Sequence, residues 1–328
     1  MDADIVYFHR NIRAGFSINK VTKSYTSLIH NKVEHYVPSY RALPFSILNN
    51  LWFVRRHRKK YQINHITGDI HYCMISLIGC KSVLTVHDTN SVTYGSKSHF
   101  YKWFRRIFWF TIPLKIATKV TCISNETKRH LEQITKRKDI EVIMNPISPG
   151  FKPYIKEIIS NPPNVLLVGT NYKKNVIRTI RALEGINCIL TIIGTIDERI
   201  VSELSNCHIK YVNKTNLSDE EIISEYINCD VVSFASLFEG FGMPIIEAQA
   251  IGRVVVTSNI PPMNEVANSK NAILVNPYSV ESIREGLIRA ISDDNLRNSL
   301  IKEGLNNVQK FKPENIAKLY QALYDSIL

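Results

Sequence analysis

The sequence predicts an α/β protein of two Rossmann-like, doubly wound domains that face a cleft, and three observations lead there. Short apolar, β-branched runs separated by helical lengths recur in both halves of the chain, the pattern of buried parallel strands alternating with helices. A proline-rich stretch with Asn145-Pro146, Pro149-Gly150, Pro153 and Asn161-Pro162-Pro163 divides the halves and suits a hinge. The stretch DVVSFASLFEGFGMPIIEAQAIGRVVVTS, beginning at Asp230, reads as strand, glycine-bearing loop, helix and second strand in immediate succession. At 328 residues the chain is long enough to bury two cores.

In the first half, residues 5–8 read as the opening strand, followed by a loop through Gly15 and a helix over 18–29. Apolar strands follow at 63–66, 82–86, 120–123 and 141–144. Beyond the linker, a strand at 164–168 ending in Gly169 restarts the pattern, with a helix over 175–183 and strands at 188–193 and 208–212. An acidic helix over 218–229 opens with Ser218 and Glu221 at capping-box spacing. Next come a strand at 230–234, a helix that Pro244 opens and Gly252 closes, and a strand at 253–257. A strand at 272–275 and helices over 279–292, through Asn306 and over 311–328 complete the chain. The predicted division is 1–155, 156–312, and a C-terminal helix, 313–328, that packs back on the first domain. Ligands of such sheets sit outside the carboxyl ends of the strands, where Gly15, His87, Gly169 and Glu239 fall.

A content of 45% hydrophobic and 21% charged residues is that of a soluble globular protein. No apolar run approaches bilayer-spanning length, and the start MDADIVYFHR lacks a signal-peptide pattern, so a cytoplasmic chain is expected. The six cysteines are scattered without a C-x-x-C pair, and no histidines cluster at metal-ligand spacing; reduced thiols and no metal site follow.

The net charge of +12 is uneven. Residues 1–155 carry 24 Lys and Arg against 9 Asp and Glu, a balance of +15, while 156–328 carry 17 against 20, a balance of −3. Two segments concentrate the excess, WFVRRHRKK from Trp52 and SKSHFYKWFRRIFWFTIPLK from Ser96. In the second, Phe100, Trp103, Phe104, Phe108 and Trp109 interleave with Lys97, Lys102, Arg105 and Arg106, the composition of a helix lying in a membrane interface. Trp103, Arg105, Arg106 and Trp109 are the expected contacts with an anionic membrane surface, the competing reading being a solvated or core-packed amphipathic helix. No nucleic-acid module accompanies the patch, so nucleic acid is not expected as a partner.

The loop Glu239-Gly240-Phe241-Gly242 ahead of Pro244 puts unpaired N–H groups at a helix N-terminus, where an anion is stabilised and glycines admit a ligand close to the backbone. Glu239 and Glu247 flank it, and carboxylates accept hydroxyl protons but not phosphate, which favours a ligand carrying both phosphate and sugar diols. Lys173 and Lys174, just beyond the strand-end Gly169, supply cations for the phosphate; the competing reading is a solvated basic turn. His87, at a strand end, suits a neutral hydrogen-bonding role or a satisfied buried one, and Asp88 either caps the next segment or meets substrate.

At these residues the chain resembles the retaining glycosyltransferases of family four, which have the two-domain GT-B architecture. The resemblance is strongest in EGFGMPIIEA, which holds the family's two glutamates, and continues through TSNIPPMNEVANSKNAILVNPYSVESI. Upstream it includes VIMNPISPGF, VTCISNETKRHL, LTVHDTN and LLVGTNYKKN, and so spans most of the chain. It implies that Glu247 accepts the ribose hydroxyls of a donor nucleotide and that Glu239 lies near the donor sugar. Gly240, Phe241 and Gly242 would contact sugar or phosphate through the backbone, Lys174 with Lys173 would hold the diphosphate, His87 would lie near the anomeric carbon, and Gly15 would approach the phosphates. Thr170 stands where many members have arginine, which leaves the phosphate charge to the two lysines, and Asn145-Pro146 stands where asparagine-glycine is common.

The implied activity is metal-independent, cofactor-free transfer of a sugar, with retention, from a nucleotide-diphosphate donor to a hydroxyl of a saccharide acceptor. His87, Lys174 and Glu239 are the expected catalytic residues, the acceptor is expected to be lipid-linked, and the place of work is the inner face of the cytoplasmic membrane. Two alternatives stand beside it, a nucleotide-sugar epimerase of the same fold and a non-catalytic binding protein.

Overall fold

The computed structural model describes residues 5–14, 17–41, 43–89, 99–156 and 159–327. The chain forms two compact units, Met1–Pro146 with Pro313–Leu328, and Ile147–Lys312. In the first, the order is β1 (Ile5–His9), α1 (Ser17–Thr26), β2 (Lys32–Tyr36), α2 (Pro44–His57), β3 (Ile63–Ile66), a 3-10 segment (His71–Leu77) and β4 (Ser82–Val86). Then α3 (His99–Arg105) runs through a π-helical turn (Arg106–Thr111) into α4 (Ile112–Ile116), before β5 (Lys119–Cys122), α5 (Asn125–Ile134) and β6 (Ile140–Val142). The six strands form one parallel sheet ordered β2-β1-β3-β4-β5-β6.

Every residue of β1, β3 and β4 is buried, because elements cover both faces of the sheet, the polar Asn64, His65, Ser82 and Thr85 included. On one face Val6, Phe8, Leu84 and Val86 pack with Val54 of α2 and with Trp109 and Phe110 of the π turn. The half-buried edge strand β2, KVEHY, is not an apolar run, and the sequence did not announce it. Helix α2 was read only as part of a basic segment, although Pro44 at its first turn is a start signal.

The second unit comprises β7 (Asn164–Val168), α6 (Val176–Leu183), β8 (Ile189–Ile193), α7 (Glu198–Asn206), β9 (Lys210–Lys214), α8 (Asp219–Asn228) and β10 (Val231–Phe234). It continues with α9 (Met243–Ile251), β11 (Val254–Ser258), α10 (Met263–Val266), β12 (Ile273–Val275), α11 (Val280–Ser292) and α12 (Asp294–Val308). Its parallel sheet has the order β12-β11-β10-β7-β8-β9. From β7 the chain steps outward to β8 and β9 and then returns to the opposite side for β10, so β7 and β10 flank the topological switch point where such sheets bind ligands. The capping box of α8 is present: Ser218 accepts from the Glu221 amide while Glu221 accepts from that of Ser218.

The last helix, α13 (Pro313–Asp325), belongs to the first unit. Its Tyr324 hydroxyl lies 2.8 Å from that of Tyr7 on β1 and 2.7 Å from His65 Nδ1 on β3. Tyr320 stacks on Tyr25 of α1 with ring centroids 4.4 Å apart. The first boundary differs from the sequence reading: residues 147–155 join the second unit, because the Ile147 amide donates to the Phe311 carbonyl and the Tyr154 amide to that of Ile251. Asp230 is a structural anchor, buried just before β10, where it accepts from the amides of Ser160 and Asn164 and pairs with Lys156 at 2.6 Å. All six cysteines are buried and none is in a disulfide, and no helix among the described residues is long and apolar enough to cross a membrane.

Candidate active site

At the carboxyl end of β7, Gly169 has φ +90, a conformation that side-chain-bearing residues rarely adopt. A Cβ built there would lie 2.9 Å from Lys174 Cε, so the missing side chain is what lets Lys174 fold back across the strand end. The turn between them is made by Asn171, whose side chain accepts from the Lys173 amide, and by left-handed Asn175, φ 59. Asn175 Nδ2 donates to the carbonyls of Ala235 and Pro277, fastening the turn to the ends of β10 and β12.

Lys174 Nζ reaches 2.8 Å from Glu239 Oε1 and sits over the Phe234 ring at 4.7 Å, while Lys173 Nζ lies over the Phe238 ring at 5.3 Å. Both members of the Lys174–Glu239 pair are about four-fifths buried. For a pair this buried the loss of hydration offsets much of the mutual attraction, so the pairing by itself is weak ground for stability. The arrangement is that of a positioned cation whose partner can exchange.

Beyond Glu239, Gly242 caps α9 with φ 117 and no side chain caps the helix; Pro244 carries no N–H, and the Ile245 amide donates to the Gly242 carbonyl. The Phe241 side chain is buried edge-on against Phe311, 5.8 Å between centroids, which leaves its backbone as the part able to meet a ligand. Helix α9 is buried nearly all round; Met243 and Glu247, four residues apart and so on one face, are its partly exposed positions. Glu247 Oε2 accepts a 2.6 Å hydrogen bond from Tyr226, a fully buried tyrosine of α8 whose titration burial pushes well above the usual value. Sequence reading missed Tyr226, because a tyrosine on the inner face of an amphipathic helix reads as core.

In the first unit, His87 ends β4 and is buried, and burial, with His71 and Arg10 nearby, pushes its titration down to about 3. His9 at the end of β1 is likewise lowered to about 4, chiefly by burial, with Glu34 opposing. The buried Nε2 atoms of His9, His71 and His87 carry no hydrogen-bond partner among the described residues. Neutral imidazoles with an idle nitrogen gather where parallel strands end, the position in which such sheets meet ligands. Gly15 lies outside the described residues.

The expected membrane contacts divide. Trp103 is 57% exposed and Arg106 is exposed, whereas Trp109 is 5% exposed and donates its indole N–H to the Asp69 carbonyl at 3.0 Å. The wide π turn carries an extra residue and rotates Trp109 onto the core, so Trp109 is not a surface contact. Arg105 is half-buried with its guanidinium over the Trp109 ring at 4.9 Å. Lys97 lies outside the described residues.

Two family models together cover most of the chain: "Glycosyltransferase Family 4" matches residues 4–151 and "Glycosyl transferases group 1" residues 153–307. The chain belongs to the family-four glycosyltransferases. This family-four chain is 35% identical over 103 residues to the serotype-specific mannosyltransferase WbdA of Escherichia coli, a match covering 31% of the chain and 12% of that relative. Its fold is shared with a glycosyltransferase of Rickettsia africae at TM-score 0.76 and 20% identity, over 99% of this chain and 98% of the other. It is shared also with Anabaena HepE in complex with UDP-glucose at TM-score 0.79 and 13% identity, over 99% and 100%. Among the described residues no group of three or more His, Cys, Asp and Glu could hold a metal ion.

Proposed function

We propose that this chain transfers a sugar, with retention, from a nucleotide-diphosphate donor to a hydroxyl of a saccharide acceptor, without a metal. The carrying observation is the Lys174 ammonium, held across Gly169 and paired with Glu239 at the switch point of the second unit. A donor diphosphate would take Lys174 from Glu239, and the released carboxylate would accept hydroxyls of the donor sugar. Negative charge develops on the departing diphosphate, so Lys174, Lys173 and the amides of 240–242 would stabilise the transition state more than the ground state. Glu247, its second oxygen fixed by Tyr226, would accept the ribose hydroxyls. His87, kept neutral by burial, would serve as a hydrogen-bonding group and not as a base. Retention would follow if the acceptor attacks from the face that the diphosphate leaves, with the diphosphate receiving the acceptor proton.

The acceptor would bind the first unit and be lipid-linked, in polysaccharide synthesis at the cytoplasmic face of a membrane, with Trp103, Arg105 and Arg106 toward anionic headgroups. The UDP-glucose named with the Anabaena structure and the mannosyl activity named for the E. coli relative make UDP-glucose and GDP-mannose the first donors to try. Thermal-shift screening of nucleotide sugars, followed by NMR of the product anomer, tests the reading. A donor that raises the melting temperature and gives an α product from an α donor supports it. Conversion of donor alone to its epimer supports the epimerase reading instead, and binding without turnover on any acceptor supports a non-catalytic role.

A further inference from the structure

Within the first unit an apolar groove of about 580 Å³ opens between α2 and the α3–π-turn segment. Pro44, Ile47, Leu48 and Leu51 form one wall and Phe104 and Phe108, with rings 4.5 Å apart, the other. The lining polar groups are the Tyr72 hydroxyl, already engaged by Asn50 at 2.8 Å, and Arg105. A groove of this size and lining falls in the range of roughly 300–1,000 Å³ typical of sites for apolar ligands.

What surrounds it narrows the occupant. Phe45, Leu48 and Trp52, spaced along one face of α2, are 87%, 61% and 59% exposed, so the apolar surface continues out of the groove into solvent. Cations flank that surface: Arg55, Arg56, Arg58, Lys59 and Lys60 at the end of α2, and Lys102, Arg105 and Arg106 across from it. Residues 35–68 and 89–125, which supply both walls, contain no Asp or Glu. Arg56 lies over the Trp52 ring at 5.3 Å, the placement of a cation beside an apolar surface, with its charge kept toward solvent. An apolar slot whose two helical walls carry cations and no carboxylates fits a hydrocarbon chain with an anionic head better than an uncharged protein segment.

We infer that this groove seats the hydrocarbon chain of an anionic lipid, with the phosphate or diphosphate head at Arg105. The inference rests on the lipid-linked acceptor proposed above and assigns the chain its place, apart from the sugar chemistry. It is readable by fluorescence, because the three tryptophans of the sequence, Trp52, Trp103 and Trp109, lie on or beside the groove elements. The full chain is titrated with dodecyl phosphate below its micelle concentration, and in parallel with hexyl phosphate and with inorganic phosphate.

The expected result is a saturable one-to-one blue shift with dodecyl phosphate, at least tenfold weaker binding of hexyl phosphate, and no response to inorganic phosphate. Leu48→Lys, at an exposed wall position, should weaken dodecyl phosphate at least tenfold while leaving the thermal shift by nucleotide sugar intact. Equal binding of the two chain lengths, or unchanged binding by Leu48→Lys, overturns the inference. So does a dimer of the lipid-free chain in sedimentation that Leu48→Lys dissociates, since the groove is then covered by a second copy. Failure of the glycosyltransferase reading shows separately, as absent donor binding with chain binding preserved.

Discussion

Nine of the ten histidines and all three tryptophans precede Pro146, whereas the second unit has His208 alone and no tryptophan. The first unit meets its surroundings with buried neutral imidazoles and an apolar, cationic surface; the second does so with a lysine, two glutamates and backbone amides set around one helix start. Both sheets are parallel and offer their strand ends, yet one end is tuned by desolvation and the other by charge placement. Two units of one architecture can therefore divide the recognition of a polar, charged ligand from that of a less charged one, and should respond differently to pH and to point changes.

The largest expected contrast is in acid. Folded His9 and His87 take up protons only near about 4 and about 3, but imidazoles of the unfolded chain do so near 6.5, so unfolding binds protons throughout that window. Stability of the first unit then falls as pH drops from about 6.5 toward 3, by an amount on the order of several kcal/mol. Tryptophan emission, which reports that unit alone, should change at higher pH than hydrogen-exchange protection is lost from β7–β12; coincident transitions would contradict the contrast.

In the second unit, Lys174→Ala should lower kcat by about a hundredfold or more with little change in melting temperature, the effect of removing one charged transition-state contact. Gly169→Ala attacks the same cation indirectly, by forcing a Cβ into Lys174 and straining φ +90, and should cost on the order of ten- to a hundredfold in kcat. Wild-type turnover by either variant would remove Lys174 from the chemistry. The smallest effect is expected at Tyr226→Phe: donor KM rises about five- to tenfold while kcat holds, because one hydrogen bond that orients Glu247 is lost. A fall in kcat at unchanged KM would instead mark Tyr226 as part of the general packing.

What the sequence disclosed follows the same division. Buried parallel strands such as β4 and β7 are mostly apolar, so the second unit's strands and most of its helices could be read in advance, while the polar-faced α7 and the four-residue α10 were not. Strand β2 is a polar edge, and α2 shows Phe45, Leu48 and Trp52 to solvent, which masks the core-facing period of Ile47, Leu51 and Val54. The burial of Trp109 depends on one wide turn that shifts helical phase, and no residue type marks such a turn. Tyr226 and the idle imidazole nitrogens are visible only once their surroundings are folded, because burial and a partner from another helix give them their properties. The boundary near Pro146 was misplaced because the backbone bonds of Ile147 and Tyr154 are made to residues about a hundred or more positions later.

The helix that closes the first unit follows every residue of the second in the chain. Tyr7 of β1 finds its hydroxyl partner 317 residues downstream, and β1 and β3 lie under α13. Until α13 has been synthesised that sheet face stays bare, while the intervening residues can already assemble their own core. Completion thus runs against the order of translation: the unit begun first is finished second.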